Sequence, residues 1–423
     1  MTSKDRKANP MKRLLASLAL TGILAMPAVA ADQVDLTVLH AWPQHAKWEK
    51  EIAKRFMADH PNVHITFQAP SVDYGEGLVS VIRQNMAGDP PDVFMVGSHL
   101  LPNLVTRGIV QPLDDVMQGK DMEKLGYTEN VLKLGQVNGK QYGLPWTDST
   151  TVMFYNKDLV KKAGGDPDNM PTTWDGTIAL AKKINALGSD THGIYYTLGD
   201  DDWMVQNLLA TNGIYPVTKD GKIAFSTDKG KKAIEVFQRL IQDAGQQPIA
   251  DKAARQEMYA GKLGIYFNSA AVVRSFDREI GDRFPWGAAQ MPSLGEKGNV
   301  ASGGMGVVVL SKDPAKRKAA FDYILYGTGA KSQAYIAKQT GYIPINTGSA
   351  ELLKDFYQKN PNYKTSPNQL DRALGWFSWP GSNGVKISQI IMDDMTSVAN
   401  GEMTADEASA KMTDQIKPLI ETK

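Results

Sequence analysis

The 423-residue chain contains no cysteine, which excludes disulfide bonds, thiolate metal sites and a cysteine nucleophile. Histidine is scarce, with six copies spread along the chain, and we predict neither a metal site nor a bound cofactor. The formal net charge is only +1. Residues 1–30 hold five Lys or Arg and one Asp, which leaves 42 Lys and Arg against 45 Asp and Glu in residues 31–423. This balance argues against a nucleic-acid-binding protein, which usually has a strongly basic surface.

Long apolar runs are also rare, and the one extended run lies near the N-terminus. Lys12 and Arg13 precede the apolar stretch 14–29, and Ala28-Val29-Ala30 provides small residues at the spacing of a cleavage site. This anatomy is typical of a secretory signal peptide, and the run is short for a membrane span, which needs about 20 residues. We expect residues 1–30 to be a signal peptide, with a retained membrane anchor as the alternative. Because no cysteine follows the cleavage position, we expect a periplasmic protein without a lipid anchor.

Regular alternation of strand and helix patterns begins at residue 34. Val34–Leu39 alternates and is β-branched, which favours a strand. Trp48, Ile52 and Phe56 are spaced four residues apart, which places them on one helix face. Further strands and helices are predicted at 64–67, 78–86, 93–96, 152–155, 176–186, 228–243, 307–310, 314–325 and 385–399. The order strand–helix–strand–helix–strand predicts an α/β fold with a parallel sheet.

Motifs of the common enzyme classes are missing. The sequence has no G-x-S-x-G nucleophile turn and no G-x-x-x-x-G-K-[ST] phosphate loop. Gly303, Gly304 and Gly306 precede a predicted strand, whereas dinucleotide-binding glycines precede a helix. His60 and His64 are separated by a proline and need not share a helix face. We predict no catalytic residues; an exported glycoside hydrolase stays as the alternative, since sequence cannot show whether two carboxylates face each other.

Polar and aromatic side chains cluster at the ends of the predicted elements. Ligands of α/β proteins bind outside the carboxyl ends of the strands, and three of these clusters follow strands. Carboxylates and amides hydrogen-bond sugar hydroxyls, while aromatic faces cover the C–H side of a sugar ring. We therefore predict a carbohydrate site. The candidate residues in these clusters are His40, Trp42, Gln44, Asp73, Tyr74, Ser98, His99, Thr147, Asp148, Ser149, Asp201, Trp203, Arg372 and Trp379.

Several candidates have an alternative role. Asp201 is equally consistent with the start of a helix, where the helix dipole stabilises a carboxylate. Trp203 and Trp379 are predicted to lie in polar loops, which leaves ligand contact and packing both open. Arg372 is predicted to be either a ligand clamp or one member of a surface ion pair. Trp376 lies in the same loop, which is rich in Gly, Ser and Pro.

Four segments resemble the extracellular solute-binding proteins of bacterial ABC importers. The most specific is 145–159, which ends in Tyr-Asn-Lys-Asp-Leu. Trp146 stands where the family usually has an aliphatic residue or Phe. Residues 88–93 resemble the family's turn into strand three, and 341–344 and 400–408 resemble segments nearer the C-terminus. The segments occur in the family's order along the chain.

The resemblance implies an α/β fold of the type II periplasmic-binding-protein class, with two lobes, a hinge and a ligand cleft between the lobes. The first lobe would comprise 31–149 and 303–348, and the second 150–302 and 349–423. The resemblance also implies a monomer that closes around its ligand. The closed form would deliver the ligand to the membrane permease of an ABC importer; a receptor that feeds a chemotaxis sensor is the alternative.

The resemblance also bears on the site and the ligand. Gly304 matches a ligand-contacting position of the glycerol-3-phosphate binders, and Asn268 completes the candidate set. Ala271 stands where the maltose-binding members have a stacking Trp, so maltodextrin is not implied. Arg372 and His40 leave room for an anionic sugar derivative. A neutral mono- or disaccharide or a polyol glycoside is the preferred expectation.

Overall fold

The structure, a computed structural model, describes residues 33–295 and 298–420, so the predicted signal peptide lies outside the described residues. The strands are β1 (Val34–Leu39), β2 (Val63–Phe67), β3 (Val93–Gly97), β4 (Gln136–Val137), β5 (Lys140–Gln141), β6 (Gly143–Pro145), β7 (Ser149–Asn156), β8 (His192–Tyr196), β9 (Leu263–Ser269), β10 (Trp286–Ala289), β11 (Val300–Gly303), β12 (Met305–Val309) and β13 (Ala373–Gly375).

Helices alternate with these strands through most of the chain. They are α1 (Ala46–Asp59), α2 (Tyr74–Met86), α3 (Leu101–Thr106), α4 (Asp114–Met117), α5 (Glu129–Lys133), α6 (Lys157–Lys162), α7 (Trp174–Asn185), α8 (Trp203–Thr211), α9 (Asp228–Gln242), α10 (Asp251–Tyr259), α11 (Val273–Ile280), α12 (Pro314–Thr328), α13 (Ala330–Gln339), α14 (Ser349–Lys359), α15 (Gly384–Ala399) and α16 (Ala405–Ile416). In the part of the chain that the structure describes, no helix is long and apolar enough to cross a bilayer.

The first sheet has the strand order β2-β1-β3-β12-β6. Strands β2, β1 and β3 are parallel, which confirms the prediction from the alternating pattern. Strand β12 comes from later in the chain and pairs antiparallel with β3, and β6 pairs antiparallel with the other edge of β12. Phe56, Phe94, Trp146 and Tyr323 are among the largest fully buried side chains of the core around this sheet.

The second sheet has the order β13-β11-β7-β9-β8, and β10 pairs with β7 as well. Strand β7 is buried along its whole length, because helices cover both faces of this sheet. Its side chains divide between two cores: Met153 packs with Trp174 and Phe267, whereas Phe154 packs with Tyr266 and Phe276. The second sheet therefore has its own hydrophobic core on each face.

The chain passes between the two sheets at neighbouring places. One crossing joins β6 to β7 through Thr147 and Asp148, and another joins β11 to β12 at Gly304. A bridge between Asp148 and Ile343 brings a third segment to the same point. A methyl group on Gly304 would lie 2.1 Å from the carbonyl oxygen of Thr147, so a side chain is excluded there. The crossings therefore pack backbone against backbone.

Local capping sets where α2 begins. The pattern predicts a helix from residue 78, but α2 starts at Tyr74. The Asp73 carboxylate accepts a hydrogen bond of 2.7 Å from the backbone N–H of Glu76, which satisfies a donor that the first turn leaves unpaired. This capping places Asp73 and Tyr74 at the edge of the first sheet, beside the crossings.

Candidate functional site

A first cavity, of about 250 Å³, lies where the N-terminal end of α2 faces the start of α8 and the N-terminal part of α15. Its walls come from helices and loops that follow strands of both sheets. Five of the predicted site residues line it: Asp73, Tyr74, His99, Asp201 and Trp379. At its edge, the side-chain amide of Asn103 donates a hydrogen bond of 3.1 Å to the carbonyl oxygen of Ser382, so the two walls touch.

A second cavity, of about 200 Å³, lies directly beside the crossings between the sheets. Four predicted site residues line it: Ser98, Thr147, Asp148 and Gly304. The N–H of Ser98 donates a hydrogen bond of 3.0 Å to the carbonyl oxygen of Gly304. Residues that come from separate parts of the sequence thus meet at one cleft.

Trp376 lies in the middle of the cleft. Its ring stacks on His99, with ring centroids 3.6 Å apart and an interplanar angle of 21°. It also contacts the rings of Tyr74 at 6.2 Å and Trp203 at 6.1 Å. Trp376 was not among the predicted binding residues. Trp376 lies in the same Gly- and Ser-rich loop as the predicted residues Arg372 and Trp379. That position was the sequence signal for including it in the candidate set.

The first cavity has a strongly acidic wall. Burial, together with the neighbouring carboxylates of Asp202, Asp200 and Asp73, raises the pKa of Asp201 to about 8, although the N–H of Trp203 donates to it and opposes the rise. Burial also raises the pKa of Asp202, against hydrogen bonds from Trp379 and Gln206 that lower it. These carboxylates therefore hold protons more tightly than exposed ones do.

His99 contributes no positive charge to this wall. Burial lowers the pKa of His99 to about 3, so its imidazole is neutral near pH 7. Its Nδ1 has no hydrogen-bond partner among the described residues. The neutral ring stacks on Trp376 and so forms part of an aromatic surface.

Asp148 ties the crossings together. Its carboxylate accepts hydrogen bonds from the Ser302 hydroxyl at 2.8 and 3.0 Å and from the N–H of Ser149 at 2.9 Å. Burial raises the pKa of Asp148 to about 6, and these hydrogen bonds oppose that rise. Asp148 therefore joins two crossing segments while it also lines the second cavity.

Arg372 fulfils neither of its predicted roles in this structure. Its guanidinium donates to the carbonyl oxygens of Met291 at 2.5 Å and Gly298 at 3.3 Å, and to the side chain of Gln369 at 3.1 Å. It is not in the wall of either cavity. Arg372 therefore holds the loops of the second sheet together through its two terminal nitrogens, whereas its Nε has no hydrogen-bond partner among the described residues.

His40 also lies away from both cavities. It is fully buried, and its Nδ1 pairs with the carboxylate of Glu49, which projects from α1. Trp42 packs edge-on against Tyr74, with ring centroids 5.6 Å apart, and so lies behind the cavity wall. Gln44 is exposed.

The prediction that Trp203 lies in a polar loop is wrong. Trp203 is the first residue of α8 and is 9% exposed, because this helix is buried along its whole length. Trp379 does lie in the loop between β13 and α15, but it is 5% exposed and donates from its indole N–H to the carboxylate of Asp202 at 2.7 Å. Both indoles therefore pack into the core of the second sheet.

Two further candidates are engaged within the second sheet. The Ser149 hydroxyl lies 2.9 Å from that of Ser269. Asn268 donates to the Tyr266 hydroxyl at 2.6 Å and accepts from the N–H of Ser269 at 2.7 Å. Neither lines the two cavities. Across residues 33–295 and 298–420, no group of three or more His, Asp or Glu side chains is placed to hold a metal ion.

Comparison with known proteins identifies the family of the chain. Residues 51–365 match the family model described as bacterial extracellular solute-binding protein. The sn-glycerol-3-phosphate-binding periplasmic protein UgpB of Brucella suis is 26% identical over 93% of this chain and 93% of its own length.

Solved structures share the fold at lower identity. UgpB of Mycobacterium tuberculosis, in complex with glycerophosphocholine, has a TM-score of 0.81 at 20% identity and covers 92% of this chain and 98% of its own. The GacH receptor of Streptomyces glaucescens, solved unliganded and with acarbose, has a TM-score of 0.80 at 21% identity over 92% and 99% of the two chains. The two-lobed α/β fold of the type II class, predicted from the sequence, is confirmed. The chain belongs to the family of bacterial extracellular solute-binding proteins.

Proposed function

We propose that this chain is the periplasmic substrate-binding component of an ABC importer and that its ligand is a carbohydrate. The observation that carries the proposal is the cleft itself: polar and aromatic side chains from both sheets line two cavities beside the chain crossings. Carboxylates and amides match the hydroxyls of a sugar, and aromatic rings match its C–H faces. Family relatives carry names that refer to glycerol-3-phosphate, and a structural relative was solved with acarbose.

The proposed ligand-binding residues are those that the cavities bring together. From the first sheet's side these are Asp73, Tyr74, Ser98 and His99; from the crossings, Thr147, Asp148 and Gly304; and from the second sheet's side, Asp201, Trp376 and Trp379. His40 and Arg372 were the residues that supported an anionic sugar. Since both are engaged elsewhere in the structure, we now propose a ligand without a phosphate or sulfonate group.

The proposed mechanism is closure of two lobes around the ligand. Lobe 1 comprises residues 31–149 and 303–348, and lobe 2 comprises 150–302 and 349–423. The crossings at Thr147, Asp148 and Gly304 are the proposed hinge, because few backbone bonds need to rotate there. Closure presents one surface from each lobe to the permease. The protein acts as a monomer, free in the periplasm, and returns its ligand chemically unchanged.

Thermal unfolding of the exported protein tests this function. The panel contains neutral sugars, polyols, phosphorylated sugars, amino acids and short peptides. A ligand present at about 100 times its dissociation constant adds about 2.7 kcal/mol to the free energy of unfolding, which raises the midpoint measurably. A shift with sugars or polyols supports the proposal, and a shift confined to amino acids or peptides would overturn it. Chromatography of the recovered ligand tests the absence of turnover, since any product would contradict a purely binding role.

A further inference from the structure

Trp42, in the loop after β1, has an unusual backbone conformation. Its φ of 64° and ψ of 93° lie where residues with a side chain are rarely found. Among the described residues, the other non-glycine residue with a positive φ is Asn138, in the Asn138-Gly139 hairpin turn, where the turn type requires it. Trp42 also precedes Pro43, and the residue before a proline is normally extended. The backbone of Trp42 is therefore strained.

Hydrogen bonds from a second loop hold Trp42 in this conformation. The N–H of Trp42 donates to the carbonyl oxygen of Ser71 at 2.9 Å, and its own carbonyl oxygen accepts from the N–H of His45 at 2.8 Å. The N–H of Ser71 in turn donates to the carbonyl oxygen of His40 at 2.9 Å. The loops that follow β1 and β2 are thus joined around Trp42. Strained conformations persist only where the surroundings impose them, and they cluster at ligand sites.

The indole of Trp42 is directed at Tyr74. The two rings meet edge-on, with centroids 5.6 Å apart and an interplanar angle of 89°. Burial raises the pKa of the Tyr74 hydroxyl well above its usual value, and a hydrogen bond from the Trp42 side chain opposes that rise. The indole N–H therefore faces the phenol oxygen. Tyr74 lines the first cavity, whereas Trp42 lines neither cavity.

The other neighbours of the Tyr74 ring show why Trp42 matters to it. A methyl group on Gly97 would lie 2.8 Å from Cδ2 of Tyr74, so the ring packs directly on the backbone there. The rings of His99 and Trp376 lie 6.5 and 6.2 Å from it, and both line the cleft themselves. Trp42 contacts Tyr74 from outside the cavities. It can therefore keep its contact with Tyr74 while the residues of the cleft rearrange around a ligand.

We propose that Trp42 is a positioning residue that holds Tyr74 in its ligand-binding orientation. The inference rests on the proposed carbohydrate-binding function, in which Tyr74 contacts the ligand. The strained loop aims the indole, and the indole fixes the Tyr74 ring and hydroxyl before the ligand arrives. Such pre-organisation strengthens binding, because less side-chain freedom is lost when the complex forms.

Crystal structures of ligand-free wild type and Trp42→Gly test the positioning without a ligand. Glycine adopts a positive φ freely, so the variant removes the indole while the loop keeps its course. We expect Tyr74 to occupy one orientation in wild type and a different one, or several, in Trp42→Gly. An unchanged single orientation of Tyr74 in the variant would overturn the proposal.

A double-mutant cycle measures whether Trp42 acts through Tyr74. The probes are the neutral mono- and disaccharides and polyols of the thermal panel, titrated by calorimetry. Trp42→Phe keeps an aromatic edge but loses the N–H, and we expect about 2- to 10-fold weaker binding. In a Tyr74→Phe background the same change should cause no further loss, because the phenol oxygen is gone. Equal losses in the two backgrounds would contradict action through Tyr74.

Trp286→Phe is the matched control. Trp286 is also partly buried, but it lies in β10 and lines neither cavity, so its substitution should leave the affinity unchanged. A purely structural role of Trp42 would lower the unfolding midpoint of Trp42→Phe and leave its affinity at the wild-type value, which would overturn the proposal. Failure of every sugar and polyol to bind wild type would instead overturn the proposed carbohydrate function, and the crystal structures would still decide whether Trp42 orients Tyr74.

Discussion

At the scale of single residues, the cleft depends on side chains whose ordinary chemistry is altered by burial. Asp201 is the clearest case, because its carboxylate lies among others of the same sign. Trp376 is only partly buried and contributes by contact, since its ring lies among those of His99, Tyr74 and Trp203. For each of these residues, a single substitution tests a specific prediction.

Asp201 should make the protein less stable as the pH rises. Burial and neighbouring carboxylates raise its folded-state pKa to about 8 from 3.8, so the folded state binds the proton more tightly than the unfolded state. The free energy of unfolding should therefore fall between about pH 4 and pH 8, at a rate of up to about 1.4 kcal/mol for each pH unit. Asp201→Asn mimics the protonated side chain, so its stability relative to wild type should increase across this window. The titratable groups that face or adjoin Asp201 are Asp73, Tyr74, Glu76, His99, Asp200 and Asp202.

Denaturant unfolding of wild type and Asp201→Asn at pH 4, 6 and 8 measures this effect. The difference between the two proteins isolates Asp201, because the other carboxylates are common to both. A constant difference over the three pH values would contradict the raised pKa.

Trp376→Ala should weaken ligand binding without unfolding the protein. The substitution removes the stacked contact with His99, which is worth about 0.5–1.5 kcal/mol beyond the buried area. We expect a loss of affinity of at least several-fold for the ligand identified by the panel. Trp376→Phe keeps an aromatic face and should retain most of the affinity. An alanine variant that binds the ligand as tightly as wild type would show that Trp376 is not part of the binding site.

At the scale of elements, helix ends and strand junctions place the site. The cap of α2 brings Asp73 and Tyr74 to the edge of the first sheet, and the start of α8 brings Asp201 to face them. The junction between β11 and β12 brings Gly304 against the opposite crossing. Asp73, Tyr74 and Asp201 therefore lie at the ends of regular elements, which hold a binding geometry more accurately than loops do.

Asp73 has two separable roles, as a helix cap and as a charge. Asp73→Asn should keep the cap, because Asn is as good an N-cap residue as Asp, and should leave the unfolding midpoint close to that of wild type. Asp73→Ala should lose about 0.5–2 kcal/mol of stability with the hydrogen bond to Glu76. Both variants should bind ligand more weakly. Denaturant unfolding and ligand titration of the two variants distinguish the roles. An Asn variant with unchanged ligand affinity would show that Asp73 acts only as a helix cap.

Gly304→Ala should disturb the proposed hinge. The new methyl group would lie 2.1 Å from the carbonyl oxygen of Thr147, so the two crossings must separate. Such overpacking typically costs about 1–3 kcal/mol of stability. Gly188→Ala is the control, because nothing lies within 4 Å of the added methyl group. Equal unfolding midpoints for the two variants would show that the crossings yield without strain.

At the scale of the whole molecule, the structure joins two sheets, each with its own core, through closely packed crossings. Contacts across the cleft include polar and aromatic ones, such as Asn103 to Ser382 and His99 to Trp376. Contacts of this kind can break and re-form when a ligand enters, whereas the cores of the two sheets stay intact.

Ligand binding should shorten the distance between the proposed lobes. The chain has no cysteine, so Met86→Cys and Lys219→Cys introduce two unique labelling sites at exposed positions beside the first and second sheets. Pulsed electron paramagnetic resonance between spin labels should give a shorter and narrower distance distribution with ligand than without it. The pair Met86→Cys and Lys124→Cys, within one proposed lobe and both exposed, should show no change. An unchanged distance across the lobes would contradict closure.

Local sequence patterns determined much of the fold. Alternation in Val34–Leu39 and four-residue spacing in Trp48, Ile52 and Phe56 report which face each element buries, and burial is what makes these elements stable. The clusters that contained Tyr74 and Asp201 were found for the same reason: they directly follow or begin elements that the sequence predicts. The motif at 145–159 placed the chain in its family, and the family model confirms this.

Tertiary structure alone decided which of those side chains meet. Arg372 gave a sequence signal of ligand binding, yet its acceptors include the carbonyls of Gly298 and Met291, 74 and 81 residues earlier in the chain. Trp376 is part of the cleft because its ring stacks on His99, which lies far away in the sequence. The pKa of Asp201 is raised by burial and by neighbouring carboxylates, one of which, Asp73, caps a different helix. Periodicity reports one element at a time, whereas a binding site depends on distances between elements, and those arise only when the separate cores pack and the crossings bring them together.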